Sequence, residues 1–391
     1  MPPQEGCSSP TDEEARAGPR PIMTATAEHA APRQREDLAE VADAAAFLER
    51  VEARLDTFLA ARSSLLLEVS PDLQPVTRIL REVARGGKRL RATFGYWGWR
   101  ATGTPVTDAT VDVAAALELF HLAALVHDDL MDHSATRRGV PTVHTAFAGQ
   151  HRRGGLRGDA AEFGNGAALL VGDLCLTWSD ELLDGSLLAP ARHVAARRIY
   201  NLMRTQVVAG QYLDVLEQSR DHTTVDAART VLQFKSAKYT VEHPLMLGGA
   251  AAGAGPDLLR ACSAYGLPVG EAFQLRDDVL GVFGDETRTG KPVGDDLREG
   301  KKTLLVLVAR DRADRAGREV LEAGLGNRDL DAAGVAALQQ VLVSTGALDL
   351  VEQRIAELTA RGADAIRTSD VPAPVASGLA ELAERIAGRA S

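Results

Sequence analysis

The stretch LVHDDLMD, residues 125–132, carries three carboxylates close together in the chain. On a helix of about 3.6 residues per turn, Asp128 and Asp132 lie on one face, with Asp129 beside them. Like charges one turn apart repel each other, so ion pairing alone does not explain the cluster. Mg²⁺ does explain it, because this cation is held by one or two carboxylates together with substrate phosphates. The competing interpretation is a solvated acidic turn at a helix end.

The residues that precede the acidic cluster argue against a solvated turn. Residues 111–127, VDVAAALELFHLAALVH, are mostly apolar and rich in Ala and Leu. Such a run predicts a largely buried helix that ends at the acidic cluster. Carboxylates at the end of a core helix are costly to bury unless cations compensate their charge. The stretch therefore predicts a divalent-metal site.

A second acidic cluster lies about 150 residues further along the chain. Residues 274–281 read QLRDDVLG, with Asp277 and Asp278 adjacent, and residues 289–303 read TGKPVGDDLREGKKT. Each cluster has basic residues close behind it. Two such clusters predict two walls of one site, in which metal ions bridge a polyphosphate to both walls.

The composition predicts an all-α fold. The length of 391 residues fits one large domain, and no break in composition follows residue 40. Aromatic residues make up only 4% of the chain, whereas Ala, Leu, Val and Arg are abundant, which favours helix over sheet. Residues 1–36, rich in Pro, Ser, Glu and Arg, predict a disordered N-terminal tail. Residues 37–391 then form a single domain.

Charge, cysteine usage and hydropathy restrict the partners and the compartment. A formal net charge of −10 gives no general attraction to nucleic acid. Cys7, Cys175 and Cys262 form no closely spaced pair, which argues against a disulfide framework or zinc site and fits a reducing cytoplasm. We find no apolar run that approaches the ~20 residues of a membrane span. The start of the chain shows no signal-peptide pattern.

A basic motif precedes the first acidic cluster. From Gly86 the chain reads GGKRLRATFGYWGW, and Lys88 and Arg91 share one face of a helix. Two glycines allow close approach of the backbone to a ligand, and a helix N-terminus favours anions. The motif therefore suits a diphosphate, although a solvated basic turn is the simpler alternative.

These motifs together resemble the trans-isoprenyl diphosphate synthase (polyprenyl synthetase) family. GGKRLR, DDLMD followed by RRG, and a second DDVLG occur in the order typical of that family, and the resemblance extends from about residue 40 to the end. It is strongest to bacterial geranylgeranyl diphosphate synthases. The resemblance implies a large single-domain helical bundle around a central hydrophobic cavity. It further implies head-to-tail condensation of isopentenyl diphosphate with an allylic diphosphate, about three Mg²⁺ ions (with Mn²⁺ as a substitute), and a homodimer.

The resemblance also assigns roles to individual residues. Ser236 stands where the family has Thr in a Lys-Thr pair, and it keeps the hydroxyl group. The isopentenyl diphosphate ligands are expected to be Lys88, Arg91, His121 and Arg138. The allylic diphosphate ligands are expected to be Arg137, Lys235, Ser236, Gln274, Lys291 and Lys301. The metal ligands, which with Lys235 are the catalytic residues, are expected to be Asp128, Asp129, Asp132, Asp277 and Asp278.

The residues just before the first acidic cluster bear on product length. Farnesyl-producing relatives often carry an aromatic residue there, whereas this chain has the small residues Ala123 and Ala124. Phe120 precedes Asp128 by two helical turns, roughly 12 Å along the axis. If Phe120 closes the pocket for the growing prenyl tail, the pocket is longer than one closed at position 123 or 124. This predicts a C20 product, geranylgeranyl diphosphate, with farnesyl or longer polyprenyl diphosphates as alternatives.

Three further segments yield structural expectations. Gln206, Gln211 and Asp214 lie at helical spacing in residues 199–218 and predict a polar stripe that faces the acidic clusters or packs in the core. Residues 149–166, rich in Gly and Arg, predict a mobile loop near the mouth of the site. The apolar run at residues 167–183 predicts another core helix.

Other classes of protein share parts of this pattern. His127 and Asp128 form an HD pair, as in helical metal-dependent phosphohydrolases, but that hypothesis leaves DDVLG and GGKRLR unexplained. Otherwise we expect His127 to support the site indirectly. A terpene cyclase would carry an Asn/Asp-Ser-Glu motif in place of DDVLG. A non-catalytic partner subunit would be expected to lose acidic residues, and here both clusters are complete.

Overall fold

The computed structural model of the chain describes residues 32–137, 139–284 and 293–388. Within these residues the only strands are the short antiparallel pair Thr136–Arg137 and Val140–Pro141, so the predicted all-α class is confirmed. The α-helices in chain order are α1 (Pro32–Val69), α2 (Gln74–Ala84), α3 (Leu90–Arg100), α4 (Asp108–Met131), α5 (Val143–Arg153), α6 (Ala160–Asp184), α7 (Pro190–Gln218), α8 (Val225–Val231), α9 (His243–Ala252), α10 (Pro256–Phe283), α11 (Asp295–Glu299), α12 (Leu304–Arg312), α13 (Arg315–Gly324), α14 (Ala332–Ser344), α15 (Ala347–Arg367) and α16 (Ala373–Ala387).

Helix α4 lies at the centre of the bundle, as its apolar sequence predicts. Its start is fixed by a reciprocal pair of hydrogen bonds between the side chains and backbone amides of Thr107 and Thr110. The helix packs against α1, α3, α6 and α9. The expectation that no apolar run is long enough for a membrane span was wrong for this helix. It has the required length and hydropathy, but 83% of its most apolar window is buried inside the fold, as in a core helix.

Between α8 and α9 the chain forms a π-helical segment, Leu232–Glu242. Such segments are rare and occur frequently at functional sites. In a π-helix, backbone hydrogen bonds join residue i to residue i+5, so Lys235 and Thr240 are brought to the same side. The segment packs against α7 and α10 and presents five residues to the central cavity. These are Leu232, Lys235, Ser236, Tyr239 and Thr240.

The structure differs from the sequence-based expectations at two boundaries. The predicted loop at residues 149–166 is mostly helical, because α5 continues to Arg153 and α6 already begins at Ala160. The side chain of Asp159 accepts a hydrogen bond from the Glu162 amide and so starts α6 early. Helix α1 begins at Pro32, ahead of the predicted boundary at residue 37. The rest of the predicted tail lies outside the described residues.

Candidate active site

Asp128 of the first acidic cluster faces the π-helical segment and α7. Lys235 Nζ donates to Asp128 Oδ1 at 3.0 Å and to Asp214 Oδ2 at 2.6 Å. Gln211 Nε2 lies 3.2 Å from the same Asp128 oxygen. The predicted polar stripe of α7 therefore does face the cluster through Gln211 and Asp214. Gln206 of the stripe is partly buried, and its Oε1 atom has no hydrogen-bond partner.

The short hairpin after α4 brings Arg137 back over the cluster. Gly139 supplies the left-handed backbone of the turn, with φ of 74°. Arg137 Nε then donates to both carboxylate oxygens of Asp129, at 2.8 and 2.9 Å. Nη2 of Arg137 lies 3.5 Å from Asp128 Oδ2. Asp129 is thus held in an ion pair, and the predicted metal-ligand role would require that pair to open. Arg138 lies outside the described residues.

The pKa values of Asp128 and Asp132 are shifted in opposite directions. Burial alone would raise the pKa of Asp128, but Lys235 and Arg137 together lower it below the ordinary value. Among the described residues, Asp132 forms no ion pair. Its burial, together with the neighbouring charge of Asp128, raises its pKa to about 6, although Lys235 and Lys301 act in the opposite direction. The described cations therefore compensate the charge of Asp132 less well than that of Asp128.

The second acidic cluster lies at the end of α10. Asp277 is exposed, and Asp278 accepts a hydrogen bond of 2.8 Å from Gln274 Nε2. Burial raises the pKa of Asp278 to about 8, and the nearby charges of Asp296 and Asp277 contribute in the same direction. A side chain at Gly281 would overlap the Asp296 carboxylate, so the glycine of DDVLG allows that carboxylate to approach α10.

Lysine residues behind the second cluster also enter the site. Lys301 Nζ lies 3.0 Å from Asp296 Oδ1 and 2.8 Å from Glu299 Oε2. Its charge is close enough to lower the pKa of Asp128. Lys301 therefore acts on both clusters, as predicted for two walls of one site. Lys291 lies outside the described residues.

One cavity of about 1610 Å³ connects the two clusters. Its walls come from α4, α7, the π-helical segment and α10. In the part of the chain that the structure describes, no three carboxylate, imidazole or thiol groups converge as a preformed metal site. Mg²⁺ fits nevertheless, because it needs only one or two carboxylates when substrate phosphates complete its coordination. The raised pKa values of Asp132 and Asp278 also fit a site that lacks positive charge.

The basic motif lines another part of the same cavity. Lys88 is exposed at its edge, and Arg91 stacks over the Tyr239 ring at 4.1 Å and donates to Thr240 Oγ1 at 2.8 Å. His121 Nδ1 lies 3.0 Å from the Tyr239 hydroxyl. Three of the four residues predicted to bind isopentenyl diphosphate therefore line one region of the cavity. At the N-terminus of α3 the amide of Ala92 already donates to the Glu118 carboxylate, and anion binding by this terminus stays a prediction.

Only one of the three residues predicted to set product length lines the cavity. Ala124 does so, as does Val207 of α7. Ala123 is buried and is not a cavity residue. The Phe120 ring lies one turn deeper than Ala124, with its centroid 5.9 Å from that of Tyr200 on α7. This aromatic pair bridges α4 and α7, and neither Phe120 nor Tyr200 lines the cavity.

His127 does not form a metal-binding pair with Asp128. Its Nε2 atom lies 3.2 Å from the backbone carbonyl of Leu169, and its ring rests on Gly172 of α6. A side chain at Gly172 would overlap the imidazole. His127 therefore joins α4 to α6, and its predicted indirect support of the active site stays a prediction.

Sequence reasoning missed Tyr239 and Thr240. Tyr239 follows Lys235 by four residues, a spacing that predicts a shared helix face and could have revealed it. Thr240 could not be found in that way, because five residues match a π-helix and not an α-helix. The carboxylate of Asp296 was missed because its approach depends on the glycine at position 281.

Comparison with known proteins agrees with this geometry. Residues 74–342 match the polyprenyl synthetase family. The chain is 33% identical over 298 residues to a geranylfarnesyl diphosphate synthase of Aeropyrum pernix, covering 75% of this chain and 86% of the relative. It is 34% identical over 299 residues to a geranylgeranyl diphosphate synthase of Mycobacterium tuberculosis, covering 74% and 79% of the two chains.

Solved structures give the same result. A geranylgeranyl pyrophosphate synthase from Corynebacterium glutamicum, complexed with isoprenyl diphosphate and magnesium, superposes with a TM-score of 0.84. Its sequence is 38% identical, and the match covers 88% of this chain and 99% of that one. The chain therefore belongs to the polyprenyl synthetase family and is a trans-prenyltransferase.

Proposed function

We propose that this enzyme condenses isopentenyl diphosphate head to tail with an allylic diphosphate and releases geranylgeranyl diphosphate, the C20 product. The observation that carries the proposal is the apolar part of the cavity beside Asp128. Ala124 lines this part of the cavity, and the Phe120–Tyr200 pair lies one helical turn further from Asp128 along α4, outside the lining residues. An aromatic pair one helical turn beyond an alanine leaves room for a longer tail than an aromatic residue at position 124 would.

The two acidic clusters are proposed to hold the Mg²⁺ ions. Asp128, Asp277 and Asp278 line the cavity and would supply ligands from its two walls, and Asp132, which follows Asp128 by one helical turn but is not a lining residue, would join Asp128. When bound, Mg²⁺ would stabilise the charge that develops on the leaving diphosphate. A count of about three ions and the use of Mn²⁺ remain predictions from the sequence.

The chain's own cations are proposed to complete the allylic diphosphate site. Lys235, Arg137 and Lys301 line the cavity, and Ser236 adds a hydroxyl beside Lys235. Each cation is paired with a carboxylate in this structure, so all three are held close to where the diphosphate would lie. Cleavage of the C–O bond then yields an allylic carbocation, which an apolar pocket protects from water. Gln274 acts through Asp278, whose carboxylate it orients.

The second substrate is proposed to bind at the basic motif. Lys88, Arg91 and His121 would hold the isopentenyl diphosphate, with Arg138 as a predicted fourth ligand. Its double bond attacks the carbocation, and the proton that is lost passes to the released diphosphate. Tyr239 contacts both Arg91 and His121, so it fixes two of these ligands relative to each other.

A product assay tests the proposed function. The protein is incubated with isopentenyl diphosphate, Mg²⁺ and dimethylallyl, geranyl or farnesyl diphosphate, and product length is read by chromatography. We expect a C20 product from each primer. A C15 product would place the floor nearer the acidic cluster, and C25 or longer would show that the aromatic pair does not stop elongation. Absence of product with every primer would contradict the proposal as a whole.

We also infer that a second copy of the chain covers the exposed apolar side chains of α6 and α7. Leu170, Val208 and Tyr212 are each about two-thirds exposed, at 64%, 66% and 65%. Apolar surface of this kind marks interaction sites. Light scattering at micromolar concentration should give the mass of a dimer, and Val208→Glu should lower it towards that of a monomer. A monomeric wild-type protein would contradict the inference. Location in the cytoplasm stays a prediction.

A further inference from the structure

The loop that precedes α3 has an unusual backbone. Gly86, Gly87 and Arg89 all have positive φ, at 72°, 100° and 47°. Glycine adopts this region freely, but a residue with a Cβ atom does so only when its surroundings hold it there. The positive φ of Arg89 must therefore be stabilised by its surroundings. The contacts of the Arg89 side chain provide this stabilisation.

Glu118 of α4 contacts two residues at the junction of this loop with α3, Arg89 and Ala92. The Glu118 carboxylate is almost fully buried. Its Oε1 atom accepts a hydrogen bond of 3.0 Å from the backbone amide of Ala92. Its Oε2 atom lies 3.4 Å from Nη1 of Arg89. Arg89 also donates to the carbonyl of Ala84 at 2.7 Å. Ala92 is in the first turn of α3, where backbone amides lack partners inside the helix. Glu118 thus caps α3 from a neighbouring helix and pairs with the residue just before it.

The residues proposed to bind isopentenyl diphosphate lie directly beside these two anchors. Lys88 precedes Arg89, and Arg91 lies between Arg89 and Ala92. We infer that Glu118 is a positioning residue that sets the diphosphate-binding loop for isopentenyl diphosphate, an inference that rests on the proposed function of Lys88 and Arg91. Because Glu118 precedes His121 by three residues on α4, one helix aligns the loop, the imidazole and the metal-binding carboxylates.

The charge of Glu118 also decides how the anion is held. A buried carboxylate in a cavity that binds diphosphate would repel the substrate unless a cation compensated it, and Arg89 provides that cation. The carboxylate occupies the amide of Ala92 in the first turn of α3, so that amide is not available to the diphosphate. The loop geometry that Glu118 imposes is therefore expected to control affinity for isopentenyl diphosphate.

Steady-state kinetics with both substrates varied separately test the inference. Glu118→Gln keeps an oxygen for the Ala92 amide but loses the charge that pairs with Arg89. We expect it to raise KM for isopentenyl diphosphate about tenfold and to leave KM for the allylic diphosphate within about twofold. Arg89→Gly tolerates positive φ without strain and removes only the side-chain anchor, so it should raise the same KM. Hydrogen exchange at the Ala92 amide should accelerate in Glu118→Ala.

Two comparison variants make the outcome decisive. Asp112→Asn removes another carboxylate of α4, which is mostly buried and paired with Arg54 at 2.6 Å, and should change neither KM. Lys88→Ala should raise KM for isopentenyl diphosphate. If Lys88→Ala raises it but Glu118→Gln and Arg89→Gly do not, the positioning role is wrong and the proposed function stands. If Lys88→Ala also has no effect, the proposed binding site itself is wrong.

Discussion

Asp128→Asn is expected to lower kcat for prenyl transfer by about a thousandfold, the loss typical of removing a main electrostatic group from an active site. Asp128 lines the cavity and accepts hydrogen bonds from Lys235 and Gln211. The Asn side chain keeps the shape but loses the charge that the proposed metal requires. Lys235 would then pair with Asp214 alone. The measurement is kcat at saturating Mg²⁺ and saturating concentrations of both substrates.

The matched control for this prediction is Asp112→Asn on the same helix. Asp112 pairs with Arg54 and lies outside the cavity, so kcat should stay within about twofold of the wild type. A loss of less than about tenfold in Asp128→Asn would count against the proposed metal wall.

The ionised carboxylates of the site affect stability in opposite directions. Lys235 and Arg137 hold the pKa of Asp128 down, so its stabilising contribution is present at neutral pH and is lost as the pH falls through its folded-state value. The pKa values of Asp132 and Asp278 are raised from 3.8 to about 6 and about 8. Stability from these two groups therefore falls as the pH rises from 3.8 towards those values. A bound cation would offset this loss of stability by favouring the ionised form of both carboxyl groups.

The sequence predicted those parts of the site that depend on short segments. The apolar run before Asp128 and the position of that residue at a helix end both follow from local periodicity, and the structure contains them. The meeting of the two acidic clusters in one cavity was also predicted, because two sets of carboxylates share the same need for cations. Lys235 and Arg137, assigned by resemblance, both line this cavity, and their contact with the allylic diphosphate stays a prediction.

Contacts between distant segments could not be predicted from the sequence. Glu118 reads as a single polar residue in an apolar helix, and nothing local shows that it caps α3. The stacking of Arg91 on Tyr239 joins residues far apart in the chain and depends on the π-helical segment. The mostly helical course of residues 149–166 was missed because the Gly and Arg content outweighed the capping signal of Asp159. A side chain such as Glu118, which acts by positioning other residues, belongs to no sequence motif that could reveal its role.

Ala124→Phe is expected to change the main product from C20 to C15. The Ala124 side chain lines the cavity, as does Val207, and it lies one helical turn nearer to Asp128 than Phe120. A turn of helix rises about 5.4 Å, which is close to the length that one added C5 unit contributes to an extended tail. An aromatic ring at position 124 would therefore stop elongation one unit earlier. Chromatography of products made from dimethylallyl diphosphate gives the chain length.

The reciprocal variant, Phe120→Ala, tests whether Phe120 closes the end of the cavity that holds the prenyl tail. Phe120→Ala removes one ring of the pair that bridges α4 and α7, and should yield products longer than C20 if that pair closes the cavity. Phe120 is almost fully buried and also contacts Tyr239, so the truncation is expected to destabilise the fold by about 3–5 kcal/mol. Thermal unfolding measured alongside separates that loss from the change in product. Shortening by Ala124→Phe without lengthening by Phe120→Ala would mean that the tail passes position 124 but stops against Tyr200 itself.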